Sequence, residues 1–156
     1  MKKKRVSESR TEQVYLIRTM HINSYGRLFG GYLMQWIDEV AGVVARRHSG
    51  STITTAAVDN LSFKEGAHLG DLIVIIGRVT YTGKTSMEVL VETFIEDYAG
   101  NRHLINKAYV VMVAVDEDGK PVPVPGLILQ TDKDRTEWQA GERRTALRKK
   151  RRVEDY

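Results

Sequence analysis

The sequence predicts an α+β fold in which a mainly antiparallel sheet wraps around one long central helix. Three observations support this class: one long stretch of helical periodicity, several strand-like stretches after it, and turn residues that separate those stretches. At 156 residues, the chain has room for a single domain with a sizeable core.

The central helix is predicted from residue 29 to about residue 48, after a short strand over residues 13–20. Apolar residues recur along the helix at helical spacing, and Gly50 lies just beyond it as a stop signal. The apolar positions are Leu33, Trp36, Ile37, Val40 and Val44. This pattern places one face of the helix in the core.

Four strands are predicted after the helix, over residues 52–63, 72–82, 86–96 and 107–115. The last of them is nearly continuously apolar, as expected for a central strand that is covered on both faces. We therefore expect a four-stranded meander. A turn follows the last strand, and prolines from residue 121 onward then end regular pairing.

Basic residues are concentrated near the two ends of the chain. Residues 1–10 hold five basic side chains and one acidic side chain, residues 143–152 hold seven basic and none acidic, and the stretch between them is net acidic. We expect three parts: a basic N-terminal tail (1–10), a folded domain (11–130) and a solvated, charged C-terminal helix or tail (131–156) that adds little to the core. No DNA-binding motif accompanies the charge, so nucleic acid is not the expected partner.

Composition excludes several classes of site. The chain has no cysteine, which excludes disulfides, zinc–thiolate sites and a cysteine nucleophile. Its four histidines are scattered without metal-ligand spacing and are interpreted as surface or loop residues, so no metal site is expected. No apolar run is long enough to span a membrane and no apolar signal core follows the basic start, which makes a cytoplasmic location the expectation.

The start of the predicted helix combines features that favour binding of an oxyanion. Gly30 and Gly31 permit close approach to the first-turn N–H groups, which carry partial positive charge. Asp38 lies seven residues after Gly31, which is nearly two turns, and therefore shares its face. From the residues alone, two alternatives remain open: the glycines serve only helix packing, and Asp38 is a solvated carboxylate paired with Arg46 or Arg47.

Four segments together resemble acyl-CoA thioesterases, both the bacterial YciA-like enzymes and the brain-type cytosolic acyl-CoA hydrolases. They are residues 23–38 with their asparagine, glycine and aspartate pattern, residues 58–64 with the following Gly70-Asp71 pair, residues 82–89, and residues 113–116. The similarity covers about residues 14–126 with similar spacing throughout. Two departures occur: many relatives have histidine where Phe29 stands, and the loop before Asn23 is shorter than in the bacterial enzymes.

This resemblance implies the hotdog fold, assembled as homodimers that often form a hexamer (a trimer of dimers). It implies hydrolysis of fatty acyl-CoA to free acid and CoA, with no cofactor beyond the CoA of the substrate. Asp38 matches the family's catalytic carboxylate, Asn23 matches its helper asparagine, and Gly31 lies where a backbone N–H polarises the thioester carbonyl. The segment Gly83, Lys84, Thr85 and Ser86 falls where the pantetheine arm runs, and Lys64 and Lys84 are expected partners of the CoA phosphates.

Hydrolysis of a thioester requires an activated water or a carboxylate nucleophile, and a group that stabilises the oxyanion. We expect Asp38 to act as the general base, while Asn23 orients the water or the carbonyl. With a rise of about 1.5 Å per residue, Gly31 and Asp38 lie about 10 Å apart on one helix, too far to act on one carbonyl carbon. The two groups are therefore expected to meet across a dimer interface.

Two other functions compete with hydrolysis. A non-catalytic hotdog module could bind acyl-CoA and report it to a regulatory partner, with the basic tails contacting nucleic acid. The presence of both Asp38 and Asn23 argues against that reading. A hotdog hydratase or dehydratase requires a characteristic histidine–aspartate pair, which is not found at the corresponding place. The G-x-S-x-G elbow of serine hydrolases is also absent.

Overall fold

The computed structural model describes all 156 residues and contains one five-stranded antiparallel sheet with a helix on each face. The predicted α+β class with a long central helix is confirmed. In chain order the elements are β1 (Lys4–Arg5), β2 (Thr11–Leu16), α1 (Gly30–Ser49), β3 (Thr52–Asp59), β4 (Leu72–Thr82), β5 (Ser86–Glu96), β6 (Arg102–Val115), β7 (Leu127–Ile128) and α2 (Asp132–Glu154).

The strand order of the sheet is β2-β4-β5-β6-β3, and every neighbouring pair is antiparallel. The predicted four-stranded meander is wrong for its first member, because β3 pairs with β6 at the far edge. The length of α1 explains this order. Its 20 residues extend about 30 Å, whereas five strands about 4.8 Å apart span about 19 Å. The strands before and after the helix therefore lie at opposite edges of the sheet.

The core lies between α1 and the inner face of the sheet. Gly77 of β4 lets the helix approach closely, because a Cβ at that position would lie 2.9 Å from Cγ1 of Val40. The helix ends at Gly50, whose φ of 68° is the left-handed conformation that glycine adopts without strain. The buried residues of α1 are Leu33, Trp36, Ile37, Val40, Ala41, Val44, Ala45 and His48.

Strand β3 carries one extra residue. Its register with β6 shifts between Thr55 and Ala57, which leaves Ala56 unpaired. Thr55, before this bulge, contacts α1, whereas Asp59, after it, contacts α2 on the other face of the sheet. Residues four apart in a regular strand share a face, so the opposite orientation of these two side chains depends on the bulge.

Helix α2 packs against the outer face of the sheet, and the expectation of a solvated helix or disordered tail is corrected. Gly141 lies so close to Tyr81 that a Cβ there would fall 2.6 Å from the Cβ of the tyrosine. Trp138 packs against the same tyrosine, with ring centroids 4.5 Å apart. The helix begins with a capping box between Thr131 and Asp134. A few apolar contacts are enough to hold α2 against the sheet because ion pairs between the helix and the sheet add to them.

The N-terminal residues are also attached to the domain. Strand β1 pairs in parallel with β7, and the ammonium of Lys4 donates to the carbonyl oxygen of Arg47 at 3.0 Å. Ser9 is fully buried. The basic character of residues 1–10 therefore does not make this segment a free tail, because its backbone completes a two-stranded ribbon.

One histidine differs from the expectation of a surface position. His48 of α1 is fully buried, and its Nε2 lies 2.7 Å from the carbonyl oxygen of Pro125. Burial lowers the pKa of His48 below its ordinary value. The ring is therefore neutral near pH 7 and donates its Nε2–H to the carbonyl, which ties α1 to the proline segment after β6.

Candidate active site

Asp38 lies on the exposed side of α1, near the edge strand β3. Its Oδ1 accepts a hydrogen bond of 2.6 Å from the hydroxyl of Thr55. It forms no ion pair with Arg46 or Arg47, so the pairing that the sequence left open is absent from the structure. One carboxylate oxygen is thus fixed by Thr55, while the other is free to accept a proton from water.

Sequence reasoning did not find Thr55. It lies in a strand rich in threonine, and only the register of β3 against α1 distinguishes it from its neighbours. Its hydroxyl contacts both the carboxylate of Asp38 and the sulfur of Met112, at 2.6 and 3.5 Å. The hydroxyl therefore holds the carboxylate against the sheet edge.

Asn23 shapes the loop before α1 and presents its amide group. Its Oδ1 accepts hydrogen bonds from the backbone N–H groups of Tyr25 and Arg27, at 2.9 and 3.2 Å. The turn also places Gly26 at a φ of 76°, which favours glycine. Because the oxygen of Asn23 is occupied by two donors, its NH2 group remains available to donate to a ligand.

The first turn of α1 carries no capping side chain. Phe29 occupies the N-cap position and makes no side-chain cap hydrogen bond, so the N–H groups of Gly30 and Gly31 are not covered by a cap. A Cβ at Gly30 would lie 3.3 Å from the ring of Phe63, and one at Gly31 would overlap the ring of Phe29. A side chain at Gly31 would therefore displace the Phe29 ring and one at Gly30 would press on the Phe63 ring, and without side chains at these positions the amides are open to an anionic group.

A cavity of about 320 Å³ brings Asn23, Gly30 and Lys64 together. Apolar side chains form part of its lining: Leu28, Leu33, Phe63, Ala67 and Ile105. Gly31 and Asp38 do not line this cavity. Because α1 is continuous from residue 30 to residue 49, the seven-residue separation of Gly31 and Asp38 corresponds to about 10 Å along its axis. Within one subunit, the oxyanion-binding end and the carboxylate are therefore separate.

Thr85 and Ser86 lie elsewhere, at a groove of about 440 Å³ beneath the C-terminal half of α2. Gly83 closes the turn before β5 by donating its N–H to the carbonyl oxygen of Ser86 at 2.9 Å. Lys84 is exposed, and its carbonyl oxygen accepts the N–H of Val124 at 2.9 Å. Gly83 and Lys84 do not line the groove. The predicted CoA-binding residues are thus divided between two places, with Lys64 at the first cavity.

A buried ion-pair network, which sequence reasoning also missed, holds α2 over this groove. Glu88 of β5 is 2% exposed and accepts hydrogen bonds from Arg144 and Arg148, the shortest at 2.6 Å. Arg148 and Arg151 also contact Asp59, each at 3.0 Å.

Burial alone would raise the pKa of Glu88, but hydrogen bonds from Arg144, Thr80 and Arg148 outweigh it and hold the pKa below its usual value. The pKa of Asp59 is lowered in the same way, as hydrogen bonds from Arg151 and Arg148 outweigh the effect of burial. Both carboxylates are therefore charged at neutral pH.

Comparison with known proteins places this geometry in a family. Residues 25–99 match the family model described as the thioesterase superfamily. The crystal structure of an apo-hexameric acyl-CoA thioesterase is 39% identical to the chain, covers 97% of both chains and has a TM-score of 0.92. The chain belongs to the thioesterase superfamily. The resemblance found in the sequence and the hotdog fold that it implies are confirmed.

Two further relatives carry related names. An acyl-CoA hydrolase from Staphylococcus aureus, solved in complex with butyryl coenzyme A, coenzyme A and coenzyme A disulfide, is 33% identical, with a TM-score of 0.92 over 99% of this chain and 94% of that chain. The cytosolic acyl coenzyme A thioester hydrolase of Rattus norvegicus is 35% identical over 150 residues, which is 94% of this chain. The chain spans 39% of the length of the rat protein.

Proposed function

We propose that this thioesterase hydrolyses acyl-CoA thioesters to free fatty acid and CoA, with a water molecule activated by Asp38. The observation that carries the proposal is the carboxylate of Asp38, fixed on one oxygen by Thr55 at 2.6 Å and exposed on the helix face that also contains Gly31. A carboxylate held in this way can accept a proton from water while the water attacks the thioester carbon.

Solved variants of a relative support the choice of residues. The Staphylococcus aureus hydrolase has been solved as three alanine variants, of an asparagine, an aspartate and a threonine. In that enzyme the asparagine precedes the aspartate by 15 positions, and the threonine follows the aspartate by 17 positions. Asn23, Asp38 and Thr55 have the same spacing, which supports their assignment to one site.

In the proposed mechanism, the thioester carbonyl oxygen accepts hydrogen bonds from the Gly31 N–H and from the amide of Asn23. The water attacks the carbonyl carbon as Asp38 takes its proton, and the negative charge that develops on the oxygen is stabilised by these donors. The carbon–sulfur bond then breaks, and the CoA thiolate receives the proton that Asp38 took from water, which restores the carboxylate. No metal or additional cofactor takes part in these steps.

The proposed site is shared between two subunits of a homodimer. Asp38 lies beside β3, an edge strand of eight residues with no neighbour on its free side. A two-fold axis near the middle of the Gly31–Asp38 stretch of α1 would bring the Gly31 end of one helix to the Asp38 of the other. The hexameric relative supports further assembly of such dimers into a trimer of dimers.

The proposal assigns the remaining predicted residues to CoA. Gly83, Lys84, Thr85 and Ser86 line the path of the pantetheine arm, and Lys64 and Lys84 contact phosphates. A cytoplasmic location is proposed from the cytosolic name of the rat relative. Separately, neither helix combines the length and the apolar composition needed to cross a membrane.

The test is thiol release from acyl-CoA substrates of increasing chain length, with the unmodified protein and the Asp38→Asn variant. Asn keeps the shape of the side chain and can still accept the Thr55 hydrogen bond, but it cannot take a proton. We expect turnover to fall about a hundredfold to ten-thousandfold, while the fold and acyl-CoA binding persist. A matched control is Glu39→Gln, the neighbouring exposed carboxylate, which should retain activity. Near-normal turnover by folded Asp38→Asn would refute the role of this residue.

The competing sensor function gives a different result in the same assay. A non-catalytic module would bind acyl-CoA saturably without thiol release from the unmodified protein. Asp38→Asn would then change neither the acyl-CoA binding nor the absence of thiol release.

A further inference from the structure

Two phenyl rings flank the first turn of α1, one beside each of its glycines. A Cβ at Gly31 would lie 2.3 Å from Cε1 of Phe29, and a Cβ at Gly30 would lie 3.3 Å from Cζ of Phe63. Successive residues of a helix point about 100° apart around its axis, so the rings lie on two different sides of the open amides. Phe29 and Phe63 are 52% and 53% exposed. About half of each residue is therefore available to a ligand that approaches these amides.

Hydrogen bonds fix the backbone at both phenylalanines. The N–H of Phe29 donates to the carbonyl oxygen of His21 at 2.8 Å. Phe63 follows Ser62, whose carbonyl oxygen accepts a hydrogen bond from the side chain of the buried Asn106. None of these hydrogen bonds involves a phenyl ring. We therefore expect them to persist when either ring is replaced by another apolar side chain.

A thioester whose carbonyl oxygen accepts the Gly31 N–H lies within reach of both rings. Carbon 2 of its acyl chain would lie within about 5 Å of the Gly31 nitrogen, because one hydrogen bond and two covalent bonds separate the two atoms. The cavity of about 320 Å³ begins one residue away, at Gly30, and five apolar side chains help to line it. An acyl chain that runs from Gly31 into this cavity therefore passes the ring of Phe29 first and the ring of Phe63 next.

We propose that Phe29 and Phe63 form a phenyl clamp that selects acyl chains without a branch at carbon 2. This inference rests on the proposed function and names the class of acyl group that the site prefers. The space beside Gly31 does not admit one additional carbon unless the Phe29 ring moves, so a methyl branch next to the thioester carbonyl meets that ring. An unbranched chain passes the rings and removes their exposed apolar surface from water, which favours its binding.

The experiment compares butanoyl-CoA with 2-methylpropanoyl-CoA, two isomers that differ only in the branch at carbon 2. The test variants are Phe29→Leu and Phe63→Leu, which keep an apolar side chain but lose the flat ring. Phe29→Tyr keeps the ring and is the conservative variant. The control variant is Tyr98→Leu, which removes a fully exposed ring from the turn between β5 and β6. Thermal unfolding verifies that all four variants are folded.

We expect the unmodified protein to favour the unbranched isomer at least about tenfold in kcat/KM, the lower end of the discrimination that one methylene group produces in an apolar pocket. Each leucine variant should reduce this ratio about threefold or more, because it lowers kcat/KM for the unbranched isomer more than for the branched one. Phe29→Tyr and Tyr98→Leu should both keep the ratio of the unmodified protein.

An unchanged ratio in either leucine variant would overturn the phenyl clamp, and so would an unmodified protein that does not distinguish the two isomers. Rings that only support the start of α1 would give equal losses of kcat/KM for both substrates, which leaves the ratio unchanged and likewise overturns the inference. A ratio that falls as much in Tyr98→Leu as in the leucine variants of the clamp has the same consequence. Failure of the proposed function looks different, because the unmodified protein would then release thiol from neither isomer.

Discussion

A site shared between two subunits can be rebuilt from two inactive variants. The pair is Asn23→Asp and Asp38→Asn. Aspartate at position 23 keeps the oxygen that accepts the Tyr25 and Arg27 N–H groups, but it loses the amide donor and places negative charge where the oxyanion forms. Each variant alone should therefore fold normally and lose about a hundredfold or more of its activity.

The expected recovery follows from the arrangement along α1. If Asn23 of one subunit works with Asp38 of the other, a mixed dimer has one site with both defects and one intact site. Random reassortment of equal amounts gives about half mixed dimers, so total activity should return to about a quarter of the unmodified level. The activity of the refolded mixture should therefore be at least about twentyfold higher than that of either variant refolded alone, given the losses expected for a missing general base.

The assay is thiol release after the two variants are unfolded together and refolded. Native mass spectrometry of subunits with different masses measures the mixed fraction independently. Refolding Asp38→Asn with unmodified protein is the control, and it should give about half of full activity whether or not the site is shared. Mixed dimers without recovered activity would place the whole site in one subunit and refute the argument from helix dimensions.

Three further outcomes follow from individual contacts. Deletion of residues 143–156 should lower the free energy of unfolding by about 3–5 kcal/mol, because it breaks the buried pairs that Glu88 makes with Arg144 and Arg148; urea denaturation measures this, and Glu88→Gln in the truncated chain should restore part of the loss. Thr55→Val should lower kcat about tenfold or more through loss of a hydrogen bond to a charged group, whereas Thr55→Ser should retain most activity; equal activity of the two would refute the positioning role. The lowered pKa of His48 gives stability that is present above the unfolded-state value of about 6.5 and lost as pH falls through the folded-state value. Denaturation between about pH 7 and pH 5 should therefore show a steeper loss than in His48→Gln, and identical slopes would contradict the assignment.

The elements with strong local signals were predictable from the sequence. The predicted bounds of α1 differ from the structure by about one residue at each end, because apolar periodicity and the left-handed Gly50 both act locally. The strands over residues 72–82 and 86–96 match β4 and β5, since turn residues delimit them. Asp38 stood out for the same reason: a lone carboxylate on a small, polar helix face is visible without tertiary information.

Contacts between distant residues were not predictable. Glu88 sits at a polar position of an alternating strand, which ordinarily indicates exposure to solvent, yet its arginine partners lie 56 and 60 residues away in the chain. The same holds for Thr55, whose role depends on register, and for β1 and β7, whose two residues each are too short to form a pattern. Composition indicated charge in α2 but carried no information on where that charge is neutralised.

The extra residue in β3 limits how this segment can change. Deleting Ala56 would restore an uninterrupted ladder with β6, and the strand would gain regularity. Thr55 and Asp59 would then be three positions apart in a regular strand and would still lie on opposite faces, so Asp38 would keep its hydroxyl donor and Arg148 and Arg151 their carboxylate. A one-residue gap at position 56 is therefore compatible with both contacts, whereas loss of a residue elsewhere between Thr55 and Asp59, with the bulge retained, would put the two side chains on one face and break one of the contacts.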